Sequence, residues 1–285
     1  MAESVRPTLQ GPRHLAGSLA AVAIALASCG ADTSATPSVT ASVTAGPSPS
    51  ETPVPSPTPT PVVQPRIRIP PVQGPFDWKV RPRNFVEGVD NPYFPLVPGR
   101  TLIYEGTSAG QQEIVRVEAL RKTKTIMGVT CVVVKDTVSL NGQLAEFTLD
   151  WYAQDVAGNV WYFGEDTAEY SSGQVTTRAG SWEAGVDGAL PGVIMPGDPK
   201  VGLAYTQEHY AGQAEDKGKI VALHRRVTVP YGSFDRLVVT EDWTPLEPGI
   251  LERKSYAPGI GVVFEQLIQG GEERLELVRI RDGSP

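Results

Sequence analysis

Seven side chains in the middle of this 285-residue chain are of the types that build a carbohydrate or small-ligand site: Trp161, Glu165, Asp166, Trp182, Glu183, Asp187 and Glu208. Gln207, Glu215 and Asp216 stand beside them. An indole face stacks on a sugar ring while carboxylates accept its hydroxyl protons. Paired carboxylates also perform acid–base chemistry when their surroundings split their pKa values. The same oxygens can ligate Ca²⁺. No spacing here matches a defined catalytic motif, so no catalytic residue is assigned. A hydrolase would have to use Glu183, Asp187 or Glu208. The plainer alternative is a loop whose glycines turn the chain, whose Trp182 fills the core and whose acids are solvated.

Other chemistries lack their residues. Asp155-Val156-Ala157-Gly158-Asn159 has the look of a calcium loop but lacks the alternating acids and the late bidentate Glu, and reads better as a hairpin turn. His209 and His224 have no partner at zinc-ligand spacing, so no metal and no cofactor are expected. Ser171-Ser172-Gly173 and Tyr231-Gly232-Ser233 are not nucleophile elbows. A dinucleotide fingerprint and a P-loop are both missing, so no nucleotide is expected.

The elements that must position these residues read as strands. No stretch carries helical apolar spacing, whereas short Val/Ile/Tyr/Trp/Thr runs alternate with turn residues. The pattern predicts strands at 101–105, 113–121, 131–140, 144–153, 160–163, 204–208, 219–229, 235–243, 251–256, 261–267 and 274–280. Within 147–152, Phe147, Leu149 and Trp151 share one face and Thr148, Asp150 and Tyr152 the other. Asn141-Gly142 predicts a type I′ hairpin, because both residues tolerate positive φ. Gly158-Asn159, Pro230-Tyr231-Gly232-Ser233 and Gly270-Gly271 predict three more. From 167 to 203 the pattern loosens into Gly, Pro and single aromatics, a stretch expected to pack across the sheet. The predicted fold is mostly β: a single curved antiparallel sheet, half-barrel or barrel-like, following a disordered N-terminal stalk.

Charge narrows the partners. Lys and Arg number 25 against 32 Asp and Glu, a net of −7. The first 28 residues carry Glu3 against Arg6 and Arg13, so the chain without them stands at −8. That balance argues against nucleic acid, which requires clustered cations. The two basic runs, Arg121-Lys122-Thr123-Lys124 and His224-Arg225-Arg226, are expected at solvated edges or turns. Of two cysteines, Cys131 lies in an apolar run and is expected to be a small buried hydrophobe.

The other cysteine ends an export signal. Arg6, Arg13 and His14 precede the apolar run 15–27, too short to span a bilayer. Leu26-Ala27-Ser28-Cys29 resembles the lipobox of bacterial lipoproteins. The resemblance implies that Cys29 is alkylated with diacylglycerol, palmitate-type chains included, and becomes the new N-terminus after cleavage. Sulfur is the nucleophile that forms the thioether. Two or more acyl chains anchor a protein stably. An ordinary secretory signal with a chance cysteine, and an uncleaved anchor, are the alternatives. Residues 31–65 follow, nearly uncharged and rich in Pro, Ser and Thr. Such a tract does not fold, favours polyproline II, and reaches on the order of 100 Å. It is either an O-glycosylated stalk or a bare tether. The chain thus divides into a signal peptide (1–28), a disordered tether (29–72) and an antiparallel β domain (73–285).

Three motifs in that domain resemble an uncharacterised family of secreted bacterial proteins and lipoproteins. They are Asn91-Pro92-Tyr93-Phe94-Pro95-Leu96-Val97-Pro98-Gly99, then Asp150-Trp151-Tyr152-Ala153-Gln154-Asp155 with the run from Gly158 to Asp166, and Trp182-Glu183-Ala184-Gly185-Val186-Asp187-Gly188-Ala189. The resemblance spans about residues 91–265. In that family the central turn often has a second acid before Gly, where this chain has Ala157. It implies no established activity. Val229-Pro230-Tyr231-Gly232-Ser233-Phe234 and Tyr256-Ala257-Pro258-Gly259-Ile260-Gly261 are similar to periplasmic half-barrels of the lipoprotein-carrier type, a likeness of fold alone.

The expectation is a lipoprotein held in the cell membrane through Cys29, with its β domain on the extracytoplasmic face. That domain is expected to bind an envelope glycan or lipid without catalysis. A hydrolase of cell-wall glycans and a structural or interaction module are the alternatives.

Overall fold

The structure, a computed structural model, describes residues 79–283. The expected signal peptide, Cys29, the expected tether and the first residues of the expected domain lie outside the described residues. A single 3₁₀ turn (Pro82–Asn84) leads into β1 (Phe85–Val86). There follow β2 (Thr101–Ser108), β3 (Gln111–Ile126), β4 (Val129–Leu140), β5 (Gln143–Asp155), β6 (Val160–Ser171), β7 (Gln174–Thr177), β8 (Trp182–Glu183) and β9 (Leu190–Met195). The chain continues through β10 (Ala204–Thr206), β11 (Glu208–His209), β12 (Lys217–Val229), β13 (Gly232–Trp243), β14 (Leu251–Ala257), β15 (Gly261–Gln269) and β16 (Glu273–Arg281). Among the described residues no helix is long and apolar enough to cross a membrane.

Two meanders of sequential hairpins, β2 to β6 and β12 to β16, join side by side where β16 pairs with β2. The sheet is antiparallel throughout and nearly closed into a barrel. Its two ends meet at one short strip: β10 pairs with β12, β11 pairs with β9, and only Gln207 separates β10 from β11. Gly192 on β9 faces the Gln207 backbone so closely that any Cβ there would overlap its carbonyl.

The predicted strands are present, most of them longer than the sequence pattern suggests, except that 204–208 divides at Gln207 into β10 and β11, which pair with different neighbours. Tight hairpins explain the regularity. Asn141-Gly142 has both φ values positive, 48° and 79°. Ala109-Gly110, Met127-Gly128 and Ser172-Gly173 make the same two-residue turn, although none carries the Asn-Gly signature. The segment 167–203 departs from expectation. It is not a loose stretch across the sheet but supplies the end of β6 and all of β7, β8 and β9. Val193, Ile194 and Met195 of β9 are fully buried, and Pro191-Gly192 masks that strand in sequence. The basic runs are corrected too. They lie inside β3 and β12 at breaks in register, not at sheet edges or turns.

β5 divides into the two expected faces, with a bulge at Trp151 that buries this side chain as well. The polar face is the one turned inward: Glu146, Thr148, Asp150 and Tyr152 are buried, while Phe147 and Leu149 are half-exposed. The interior is therefore mixed. Tyr104, Val115, Val138, Tyr162, Ile220, Val263, Leu275 and Leu277 form its apolar part. Cys131 is fully buried in the core, and burial pushes its thiol up to about 12.

Candidate functional site

The sequence-predicted residues separate into two groups. Trp182 is buried, and its indole N–H donates to Glu208 Oε1 at 2.9 Å. Its ring meets Tyr162 edge-on with centroids 5.5 Å apart. Glu165 lies between Asp150 on β5 and Trp182 on β8 in the strand register. Burial, then the charges of Asp216 and Glu165, raise the Glu208 carboxyl well above the usual range. These three residues come together on the interior side.

The other four do not join them. Trp161 donates through Nε1 to Asp155 Oδ2 at 2.8 Å, and its ring packs on Phe85. Glu183 accepts from Lys124 Nζ at 2.7 Å, and that ammonium sits 3.2 Å above the centre of the Trp151 ring. Asp166 is exposed and pairs with Arg178. Asp187 is exposed in the turn after β8, at φ 49°. Asp155 organises the β5–β6 turn by accepting from the Ala157 and Asn159 amides, as a hairpin reading requires.

A larger set of acids escaped the sequence reading. Glu113, Asp136, Glu146, Asp150, Asp242, Glu252, Glu265 and Glu273 are all buried, with Lys254 the fully buried cation among them. One signal was available. Asp136 shares strand parity with the buried Val134 and Val138, so it had to point the same way. Burial, followed by the charges of Asp150, Glu146 and Glu113, raises Asp136 strongly. Asp150 rises to about 7 through burial, although the Tyr162 hydroxyl donates to it at 2.7 Å and opposes the shift.

Asp136 and Asp150 sit beneath a small slot at one end of the sheet. Residues 91–96 cover it, with Phe94 tilted on Tyr152 at 5.2 Å. The cover is pinned on both sides. The Asn91 amide donates to Gln154 Oε1 at 2.7 Å, and the Gly259 amide donates to the Pro92 carbonyl at 2.7 Å. The slot's volume is about 60 Å³, room for a few waters.

Space of ligand size lies on the outer face of β12, β13 and β14. β12 breaks register three times against β13, and His224 and Arg236 take positive φ at the irregularities. Two adjoining concavities result, of about 570 and 460 Å³, sharing Arg226 and Val227. Both fall in the size range of small-molecule sites. Leu237, Val239 and Phe264 floor the second, and Phe234 lines the first. Arginines rim both: Arg225, Arg226, Arg236 and Arg253. Arg253 bonds Glu241, Arg236 bonds Asp235, and the Arg274 guanidinium lies 4.5 Å from the centre of the Phe264 ring. Arg225 and Arg226 form no ion pair with a described residue. An apolar floor beneath unpaired guanidinium groups is suited to an anionic amphiphile.

No family model and no curated protein matches the chain. Two solved structures are similar to it. One is a candidate exported protein with a YmcC-like fold from Bacteroides fragilis, 17% identical, with a TM-score of 0.38, covering 67% of this chain and 99% of its own. The other is a candidate lipoprotein from Parabacteroides distasonis, 11% identical, also with a TM-score of 0.38 and the same coverage of both chains.

Proposed function

We propose that this chain is a lipoprotein anchored through Cys29 at the extracytoplasmic face of the cell membrane, and that its β domain binds an anionic, phosphate-bearing envelope lipid without chemical conversion. The observation that carries the reading is the outer groove: ligand-sized, apolar at its floor and rimmed by arginines, on a chain of net charge −7. A local cationic rim on an acidic molecule repels most of the surroundings' cations and selects anions. The half-buried apolar side chains of the groove, Val221, Ala222, Val227 and Phe264, favour a lipid over a glycan, because an acyl chain would remove their remaining apolar surface from water. The lipobox at 26–29 supports the anchor, and the tether length supports reach from the membrane and back to it. Catalysis receives less support, since the slot that Asp136 and Asp150 line is small and lies under residues 94–96.

The binding test uses the full chain carrying Cys29→Ser, so that no acyl anchor interferes. Co-sedimentation with phosphatidylglycerol vesicles should exceed that with phosphatidylcholine vesicles. The double variant Arg225→Glu/Arg226→Glu should lose the difference while unfolding at the same temperature. Equal binding to both vesicles, or an unaffected double variant, would refute the groove and leave an interaction module as the better account. The anchor has its own check. Labelled palmitate should enter the wild-type chain in a bacterial host and be missing from Cys29→Ser.

A further inference from the structure

Three carboxylates converge inside the sheet wall where β14, β15 and β16 lie side by side. Glu252, Glu265 and Glu273 each present an oxygen within 4.8 Å of those of the other two, and all three are buried. With Asp242 they make four acids around a single buried ammonium, that of Lys254. Its Nζ lies 2.9 Å from Glu252 Oε2 and 3.3 Å from Asp242 Oδ2. Ser108 donates to Glu273 Oε2 at 3.2 Å. Glu265 accepts a hydrogen bond from neither group, although the Lys254 charge reaches it. It is 0% exposed, no N–H or hydroxyl donor meets either of its oxygens, and the Glu252 carboxyl that abuts it could bond it only by sharing a proton. The buried hydroxyl of Tyr256, close enough to feel the Glu265 charge, is also without a partner.

A buried carboxylate without a donor is among the costliest arrangements in a folded chain, and native structures resolve it with a partner, water or ion. Ionised, the four acids and Lys254 sum to −3. A divalent cation brings the cluster to −1. The donor set is all oxygen, which selects a hard cation. Calcium takes oxygens at about 2.3–2.6 Å, so its ligands stand up to about 5 Å apart, whereas magnesium demands a tighter octahedron. We propose that Glu252, Glu265 and Glu273 hold a calcium-class divalent cation that ties together the three strands bearing them. The spacing of 252, 265 and 273 matches no calcium-loop motif. Strand register, not local sequence, assembles the site. That is why reading the sequence for metal-ligand spacing finds no metal.

The experiment uses the full chain with Cys29→Ser, stripped with EDTA and dialysed. Equilibrium dialysis with CaCl₂ should then load one ion per chain. Calcium at about 100 times its Kd should raise the melting temperature by roughly 5–10 °C, with magnesium less effective. Glu265→Gln should abolish both the stoichiometric binding and the shift. Should that variant fail to fold, Glu273→Gln serves in its place, and the wild-type stoichiometry requires no variant. The groove variant Arg225→Glu/Arg226→Glu should load calcium normally, so failure of the lipid reading leaves this result intact. Wild-type protein that binds no calcium and shows no shift would overturn the proposal. So would a Glu265→Gln chain that keeps the calcium response. Glu265→Gln that stabilises the stripped chain in the absence of any calcium response would assign a shared proton instead.

Discussion

Replacing Asp150 with Asn should become steadily more favourable to stability as the pH is raised. Asp150 lies on the inward face of β5, buried, with the Tyr162 hydroxyl donating to Oδ1 at 2.7 Å. Burial lifts its carboxyl from 3.8 to about 7. The folded chain therefore binds more protons than the unfolded chain between those two values. Stability must fall as pH rises through that window, because the unfolded state ionises freely and the folded state does not. Worked with these two values, the group's contribution falls by about 2.5 kcal/mol between roughly pH 5 and pH 8. Asn keeps the size and an oxygen to accept from Tyr162 but has nothing to titrate. Urea denaturation of both chains at about pH 5, 6, 7 and 8 gives the difference directly. The variant should gain about 2.5 kcal/mol relative to wild type across that range. Asp136 reinforces the sign, since removing the Asp150 charge eases its ionisation in the folded state. A stability difference independent of pH, or one that turns against Asn at high pH, would refute the assignment of Asp150 as a carboxyl raised by burial.

Three other outcomes follow from named contacts. Trp182→Phe removes the donor to buried Glu208 and should cost about 1–3 kcal/mol in urea melts, more at high pH, because the lost hydrogen bond was opposing the raised Glu208 pKa. Gly192→Ala drives a methyl into the Gln207 backbone at the strip that closes the sheet, and should cost at least 1–3 kcal/mol; an unchanged melting temperature together with unchanged proteolysis at residues 204–209 would contradict the closure. Cys131 should resist a thiol reagent in the folded Cys29→Ser chain and react only on unfolding, since it is fully buried and its thiol is pushed up to about 12.

The strands were legible because period-two patterning and turn residues are local properties. Val129-Thr130-Cys131-Val132-Val133-Val134 identifies itself as a strand, and Asn141-Gly142 as its turn, without reference to anything distant. β9 was hidden, because Pro191-Gly192 reads as punctuation even though the closing strip at Gln207 tolerates no side chain there. The candidate residues fared unevenly for a related reason. Trp182 and Glu183 are adjacent, so a strand must send them to opposite faces. One joins Glu208 inside and the other joins Lys124. The arginine groove could not be foreseen from His224-Arg225-Arg226, since three register breaks in β12 create the concavity around it.

Local chemistry alone thus specifies the β class and the hairpin order, because each depends on neighbours within a few residues, and the proposed lipid anchor at Cys29 rests on the same kind of local pattern. Which face of each strand turns inward, and which acids meet, depends on how two meanders curl until their ends share residues 204–209. Glu252, Glu265 and Glu273 stand on consecutive strands with their positions set by the cross-strand register, and Glu208 reaches Trp182 from 26 residues away. A carboxylate's neighbours, and with them its charge state, are fixed by that closure and by nothing in the flanking sequence.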